Sequence, residues 1–560
     1  MYSIVWGVLW AVLPLLAIGQ RPSPHRYQVL IHEIMADPTP TAGLPEYEFV
    51  ELRNAGTAPV NLKGWLLKDS TGAMKLPEYW LQPDSLVVLA SRPVFSPCIA
   101  GSGFPSLSNE GETLALYDVQ GALVHAVAYR KSWYQGSIKD NGGWSLEMKD
   151  ARRPCSGEWN WAAATAPAGG TPGQPNSVAG AIPEPPLPVI VRISVTDSVQ
   201  LVLHFSGGVD SVSAAIAANY SLPGIAAVVV APPLFHAVHI HLAEPLQKGR
   251  SYSLQANGLQ DCVGRPLGAL PAVPFALPEP PAPGELVISE VLFDPPPGAP
   301  DFVEIYNNSG KALELYPLHL AGRGEDGALR QAVPLVTGPH MLLPGAYLAF
   351  TDNAAALCHA YTCKGALLQL PALPTLPPDA GHVVLLHPNG PVVDELAYHR
   401  SFHLATLPAT RGVSLERLGL SQPAQDPQNW HSAAATAGYA TPGYENSQRL
   451  QGGGGQESPF AVHPPAFSPD NDGQNDVAAV QWQLPEAGYT GSILVLDARG
   501  RELRTLAGNL LLGTGGKVFW DGLNHQKMPV PPGIYVIFIR IFNPAGRVKT
   551  WKLPLVLTAR

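Results

Sequence analysis

The sequence predicts an all-β chain made of several sandwich or barrel domains, and three observations carry that prediction. The first is composition: 59 Pro and 55 Gly stand among 560 residues while charged residues make up only 14%, which favours turns over long helices. The second is a repeat, since two stretches match one another at three anchor points in the same order, each long enough to be a complete domain instead of one turn of a solenoid. The third is period-two alternation in short runs such as Glu48-Phe49-Val50-Glu51-Leu52 and Asp301-Phe302-Val303-Glu304-Ile305, the signature of strands bounded by Gly, Pro and Asn turns. An apolar content of 46% supplies several cores. The net charge of -9 provides no sequence-wide positive field for phosphates, so nucleic acid is not an expected partner.

Taken in order, the chain opens with the apolar run Ile4 to Ile18, too short for a comfortable membrane span and suited to an export signal. Ala17 and Gly19 place cleavage before Gln20, giving a signal peptide over 1–19, although Met1 to Ser3 lack the usual Lys or Arg. No cysteine lies near that point, and no later stretch is long and apolar enough to span a membrane. The expectation is a mature chain without a transmembrane segment, secreted or held at the outer cell surface.

The repeat begins with Ile31-His32-Glu33-Ile34-Met35-Ala36-Asp37-Pro38, which returns as Ile288-Ser289-Glu290-Val291-Leu292-Phe293-Asp294-Pro295. Its second anchor is Trp144-Ser145-Leu146-Glu147 against Val413-Ser414-Leu415-Glu416. The third runs from Asn160-Trp161 through Thr171-Pro172-Gly173 to Asn176-Ser177, and from Asn429-Trp430 through Thr441-Pro442-Gly443 to Asn446-Ser447. With Gly64-Trp65, these residues resemble the bacterial form of the lamin tail domain, over 27–178 and again over 284–448. That resemblance implies tandem immunoglobulin-like β-sandwich domains. The second copy has a shorter first loop and no Gly-Trp after its second strand.

Between the copies, a proline connector at 183–188 leads into a smaller β domain over 186–277. Its Phe205-Ser206-Gly207-Gly208-Val209-Asp210 turn and Gly258-Leu259-Gln260-Asp261 resemble an SbsA-type immunoglobulin-like module of exported bacterial proteins. A Gly-rich linker at 449–459 precedes a last β module over 460–560. Phe467-Ser468-Pro469-Asp470-Asn471-Asp472-Gly473 looks like the opening of gliding-motility-associated C-terminal domains. Val518-Phe519-Trp520-Asp521-Gly522 and Pro532-Gly533-Ile534-Tyr535 resemble the immunoglobulin-like domain of flagellar hook-capping proteins. Related C-terminal domains direct type IX secretion, so this resemblance implies a contact with export machinery or an attachment role.

Candidate chemistry is sparse. The chain has no GxSxG elbow, HExxH helix, Walker loop or GxGxxG after a strand. Glu33, Asp37, Glu48 and Glu51 recur as Glu290, Asp294, Asp301 and Glu304. They are read either as a shared interaction surface or as turn-shaping aspartates with glutamates along a strand edge. Asp470, Asp472, Asn475 and Asp476 offer closely spaced oxygens around a Gly turn, read either as a Ca²⁺ site, although no Glu completes an EF-hand frame, or as an Asx-rich turn. His239 and His241, near His236, share one face of an expected strand and are read either as a metal-holding pair or as residues of a solvated strand face. Trp65, Tyr79, Trp80, Trp133 and Tyr134 form either a sugar-stacking platform or core, while Trp144 and Trp161 are expected in the core. Export permits disulfides, and the five cysteines suggest Cys98 with Cys155 and Cys358 with Cys363, leaving Cys262 free. The expected role is non-catalytic binding or structure through an unidentified surface glycan, polymer or protein. The alternative is an accessory or cryptic metal-dependent hydrolase, because lamin-tail-like domains also accompany secreted nucleases and phosphoesterases.

Overall fold

The alternation that marks residues 48–52 as a strand is realised over Phe49–Asn54, where Val50 and Leu52 enter a core and Glu51 takes the opposite face. The computed structural model describes residues 23–136, 138–324, 326–404, 407, 409–449, 458–469, 477–543 and 545–558. The expected signal peptide, the Gly452 to Gly455 linker, and Asp470, Asp472, Asn475 and Asp476 lie outside the described residues.

The first copy is framed by β1 (Val29–Met35), β2 (Phe49–Asn54), β3 (Leu123–Arg130) and β4 (Leu146–Met148). The second is framed by β5 (Leu286–Leu292), β6 (Phe302–Asn307), β7 (Val392–His399) and β8 (Leu415–Arg417). In the first, one sheet runs Trp161–Ala163, β4, β1, β2, Leu86–Ala90, Cys98–Ala100, and faces a sheet of β3, Gly111–Tyr117, Leu66–Lys68 and Ala73–Lys75. The second copy has the same order: Trp430–Ser432, β8, β5, β6, Tyr347–Thr351, Ala366–Gln369, facing β7, Ala380–Leu386, His319–Arg323 and Leu329–Pro334. Both larger sheets are antiparallel except for their last pair, which is parallel. Each sandwich closes over its own core, with Leu52, Trp65, Leu116 and Trp161 in one and Ile305, Leu320, Phe350 and Trp430 in the other.

Two details of this frame position the polar residues. The register of β1 on β2 shifts between Ile31 and Glu33, and that of β5 on β6 shifts at the same place, between Ile288 and Glu290. A bulge there inserts one residue, His32 or Ser289, and leaves the preceding N–H without its usual ladder partner. In the first copy His125 on β3 accepts from the Ile31 N–H at 3.0 Å, while its other ring nitrogen lies 3.0 Å from the Pro154 carbonyl. In the second copy Asp394, at the same position of β7, accepts from Ile288 at 2.8 Å and from Arg417 at 2.7 Å.

The chain divides into two compact units, one comprising residues up to 246 with 251–275, the other 247–250 with everything from 276. The first unit adds a four-stranded sheet, Ile190–Asp197, Gln200–Phe205, Ala237–Leu242, Ile225–Ala231, to the first copy. The second adds a three-stranded and a five-stranded sheet after residue 459, closed over Trp482, Ile493, Trp520 and Ile537. The chain is thus all-β, a series of immunoglobulin-like sandwiches, and none of its described helices is long and apolar enough to cross a membrane.

One expected pairing needs correction. Cys155 is bridged to Cys262, with Cα atoms 6.4 Å apart, and Cys98 is the free thiol. Cys98 lies on the edge strand of the larger sheet beside Phe49 and Phe95, whereas Cys155 lies in the turn after β4, against the neighbouring sandwich that carries Cys262. Cys358 is bridged to Cys363, with Cα atoms 5.3 Å apart, at the end of the short helix Ala354–Ala360.

Candidate functional site

Three glutamates from three adjacent strands meet at the middle of each larger sheet. Glu33 on β1 stands opposite Glu51 on β2 and Glu147 on β4, and all three are fully buried. What covers them is the Thr171-Pro172-Gly173 segment, which lies more than a hundred residues after β1 and β2 in sequence. Glu33 Oε1 accepts from Ser145 Oγ at 2.6 Å and from the Thr171 N–H at 2.8 Å. The Thr171 hydroxyl donates to Glu147 at 2.9 Å, the Gly173 N–H to Glu51 at 2.5 Å, and Ser177 Oγ to Glu147 at 2.8 Å. Asn176 then ties the segment to the carbonyls of His32 and Met148 at 3.0 and 2.8 Å.

The second copy repeats this clasp residue for residue. Glu290, Glu304 and Glu416 are fully buried. Glu290 accepts from Ser414 Oγ at 2.5 Å, the Thr441 N–H at 2.9 Å and the Thr441 hydroxyl at 2.8 Å. Gly443 N–H donates to Glu304 at 2.7 Å, and Ser447 and the Gln448 N–H donate to Glu416 at 2.9 and 2.7 Å. Gly173 and Gly443 have φ of +79° and +84°, a conformation that suits glycine while the N–H points at a carboxyl. His32 and Ser289, the bulge residues, both face the second glutamate, at 3.4 and 2.8 Å.

Burial dominates the electrostatics. It pushes Glu33 and Glu51 up to about 8, against the pull of the Ser145, Thr171 and Gly173 donors. It pushes Glu290 up to about 8 and Glu416 to about 7, and holds Glu304 well above the ordinary range with Glu290 adding repulsion. Burial, with the Arg53 charge behind it, lowers His32 to about 3, so its contact with Glu51 is a neutral one.

The other expected residues fall elsewhere. Glu33 and Glu51 belong to no interaction surface, because β1 and β2 are central strands and a loop covers their outer face. Asp37 and Glu48 are half-buried and line a separate open cleft with Glu46, Tyr47 and Asn109. Glu48 there accepts from the Leu107 N–H at 3.2 Å. Asp294 and Asp301 differ from one another: Asp294 pairs with Arg400 and Arg411, each at 3.1 Å, while burial and then Asp352 raise Asp301 to about 6. His239 and His241 are half-buried neighbours on one strand, and among the described residues no group of three or more His, Cys, Asp or Glu is placed to hold a metal. The aromatic set does not form one platform: Trp65 and Trp133 are buried, Tyr79 and Tyr134 pack on the core, and Trp80 is 57% exposed. Trp161 is core and Trp144 is half-buried under Lys139. Sequence reasoning missed Glu147 and Glu416 as partners of the other glutamates, although both stand in the repeated Ser-Leu-Glu anchor.

Comparison with known proteins places residues 22–131 in a match to the Lamin Tail Domain family. No curated protein matches the chain. Among solved structures, the N-terminal part of the bacterial S-layer protein SbsC is 18% identical, with 28% of this chain and 44% of that one covered at a TM-score of 0.16. Domains 1–6 of the same surface-layer protein are 13% identical, covering 67% of this chain and 55% of that one at 0.15. A tetra-tandem repeat from the extending region of a large adhesion protein is 10% identical, covering 95% and 99% at 0.12. The chain thus spans about half the length of the S-layer structures it matches, and at these TM-scores the likenesses carry no functional argument.

Proposed function

We propose that this chain is an exported, non-catalytic protein of the cell surface, whose lamin-tail-like sandwiches are binding or structural modules for a surface glycan, polymer or protein. One observation carries the reading: the acidic groups that recur most faithfully in the two copies are fully buried and engaged by Ser, Thr and backbone donors. General acid or base work requires a carboxyl within hydrogen-bond reach of substrate, and hydrolytic metal chemistry requires an open coordination position. A carboxyl beneath a closed loop meets neither requirement. What it does is pin the end of each sandwich to the middle of its sheet. In this reading the last module addresses the export machinery or attaches the chain, and Ca²⁺ at Asp470, Asp472, Asn475 and Asp476 remains part of the proposal.

The test has two arms on the full chain. Antibody labelling and protease shaving of intact cells are expected to find it at the surface. Assays against nucleic acid and phosphoester substrates with divalent cations are expected to show no turnover. Retention inside the cell overturns the location, and turnover abolished by Glu33→Gln overturns the non-catalytic reading.

A further inference from the structure

Within the first unit, a cavity of ≈ 470 Å³ opens between the first sandwich and the four-stranded sheet that follows it. Its walls are fixed independently of any ligand. The Cys155–Cys262 bridge joins them, and Arg265 donates to Asp261 at 2.5 Å, to Glu184 at 2.9 Å and to the Pro185 carbonyl at 3.1 Å, tying the proline connector to the second wall. Preformed concave sites of a few hundred Å³ with a mixed lining are where small ligands bind.

The internal repeat shows what is special about this place. Tyr129 and Tyr398 both donate to a carbonyl of a facing loop, and Asn160 and Asn429 both hold the turn before the repeated Trp of the anchor. Four of the residues that line the cavity differ between the copies. Arg130, Trp133, Cys155 and Trp159 of the first copy stand where the second has His399, Phe402, Ala424 and Gln428. In the second copy the Trp430 indole donates to the Ala424 carbonyl at 2.8 Å. The aligned carbonyl belongs to Cys155, and the Trp161 Nε1–H, buried in the cavity lining, has no acceptor among the described residues. Leaving a buried donor unmet is unfavourable.

We infer that this cavity is a binding site for a short pyranose oligosaccharide, seated against the Trp133 and Trp161 floor, stacked on Trp159 and hydrogen-bonded by Arg130. The inference deepens the surface-interaction reading above and rests on it. Trp133 and Trp161 have ring centroids 6.1 Å apart, Trp159 is 53% exposed beside them, and Arg130 is exposed at the end of β3. A sugar ring matches this set, because its C–H face stacks on an aromatic plane while its hydroxyls accept from indole and guanidinium donors. An extended peptide fits less well, since Pro185, Pro186 and Pro188 in the wall have no N–H with which to pair a backbone.

The experiment is titration of the full chain with neutral and uronic-acid-containing oligosaccharides, followed by tryptophan fluorescence and calorimetry, with proline-rich peptides as the competing class. Saturable oligosaccharide binding is expected, weakened at least tenfold by Trp159→Ala and by Arg130→Ala and unchanged by Trp80→Ala, an exposed control outside the cavity. Trp161→Phe, which keeps a ring and deletes the donor, is expected to weaken binding while the circular dichroism of the chain is retained. Oligosaccharide binding indifferent to Trp159→Ala and Arg130→Ala overturns the site. Binding of peptide alone, or no saturable binding by folded protein, overturns the ligand class, and neither result touches the cell-labelling test of surface location.

Discussion

Glu33 shows how a single carboxyl acts here. It accepts two short hydrogen bonds, from Ser145 Oγ and the Thr171 N–H, while the Thr171 hydroxyl, which donates to Glu147, lies 3.4 Å from its other oxygen. Glu33→Gln keeps one acceptor oxygen for Ser145 and the Thr171 N–H and turns an N–H toward the Thr171 hydroxyl, so its expected cost is under about 1 kcal/mol. Glu33→Ala strands two donors above a void, with an expected cost of about 2–4 kcal/mol. Hydrogen exchange over residues 171–178 reads the difference, which suits a multidomain chain that lacks a single unfolding free energy. The same carboxyls set a pH dependence. They titrate near 4.5 when unfolded and at about 7 to 8 when folded. Between those values the folded chain holds more protons, and stability falls as pH rises. His32, His125, His204 and His403 act in the opposite sense below 6.5, because burial holds them at about 3 to 4 in the folded chain. Above 6.5 only the glutamates remain, so the thermal midpoint is expected to drop between pH 6.5 and 8.5, and the Glu33→Gln, Glu290→Gln double variant is expected to flatten the drop. A level profile in the unmodified chain contradicts this account.

At the scale of the element, the bulges in β1 and β5 pose one problem with two solutions. His125 satisfies the Ile31 N–H and the Pro154 carbonyl without charge, whereas Asp394 serves the Ile288 N–H together with Arg417, which is itself 3% exposed. His125→Ala leaves neutral groups unpaired and is expected to cost about 2–3 kcal/mol. Asp394→Ala strands a buried guanidinium and is expected to cost more, about 3–5 kcal/mol. The shift of each sandwich's own denaturant transition from its position in the unmodified chain ranks the two variants, and equal shifts sink the comparison. The bulges also mark where sequence reading stops. The alternation of residues 48–52 was enough to locate β2 and to send Val50 and Leu52 inward, but periodicity assigns Glu51 only to the other face. Whether that face meets water depends on the Thr171 to Val178 segment, which local pattern does not connect to it. The link was present in the anchors, where Ser-Leu-Glu and Thr-Pro-Gly recur together, as the two sides of one hydrogen-bonded set. The cysteines were opaque for a related reason: grouping them by repeat ignores the parallel pairing that puts Cys98 on an edge strand, away from the turn that holds Cys155.

For the molecule as a whole, the first unit is the level at which the proline connector matters. A run such as Glu184-Pro185-Pro186-Leu187-Pro188 reads in sequence as a semi-rigid spacer between independent domains. In the folded chain it lies along a joint closed by other contacts: Arg26 stacks on Phe235 at 4.4 Å, Phe235 packs with Ala115 and Leu123, and Cys155 is bridged to Cys262. Cutting the connector therefore should not separate the two sandwiches. A specific protease site inserted after Gly180, which lies in open surroundings, tests this directly. After cleavage of the full chain, the pieces on either side are expected to migrate together on a denaturing gel without reductant and to part when reductant is added. The alternative Cys98–Cys155 pairing places both cysteines before the cut, so it predicts separation in either lane. With Cys262→Ser the covalent link is gone, and co-elution of the cleaved pieces under native conditions then reports the Arg26 and Phe235 contact by itself. Pieces that part at once in that variant would make the disulfide the main tie across the joint, and the cavity it borders would then be shaped only in the oxidised chain.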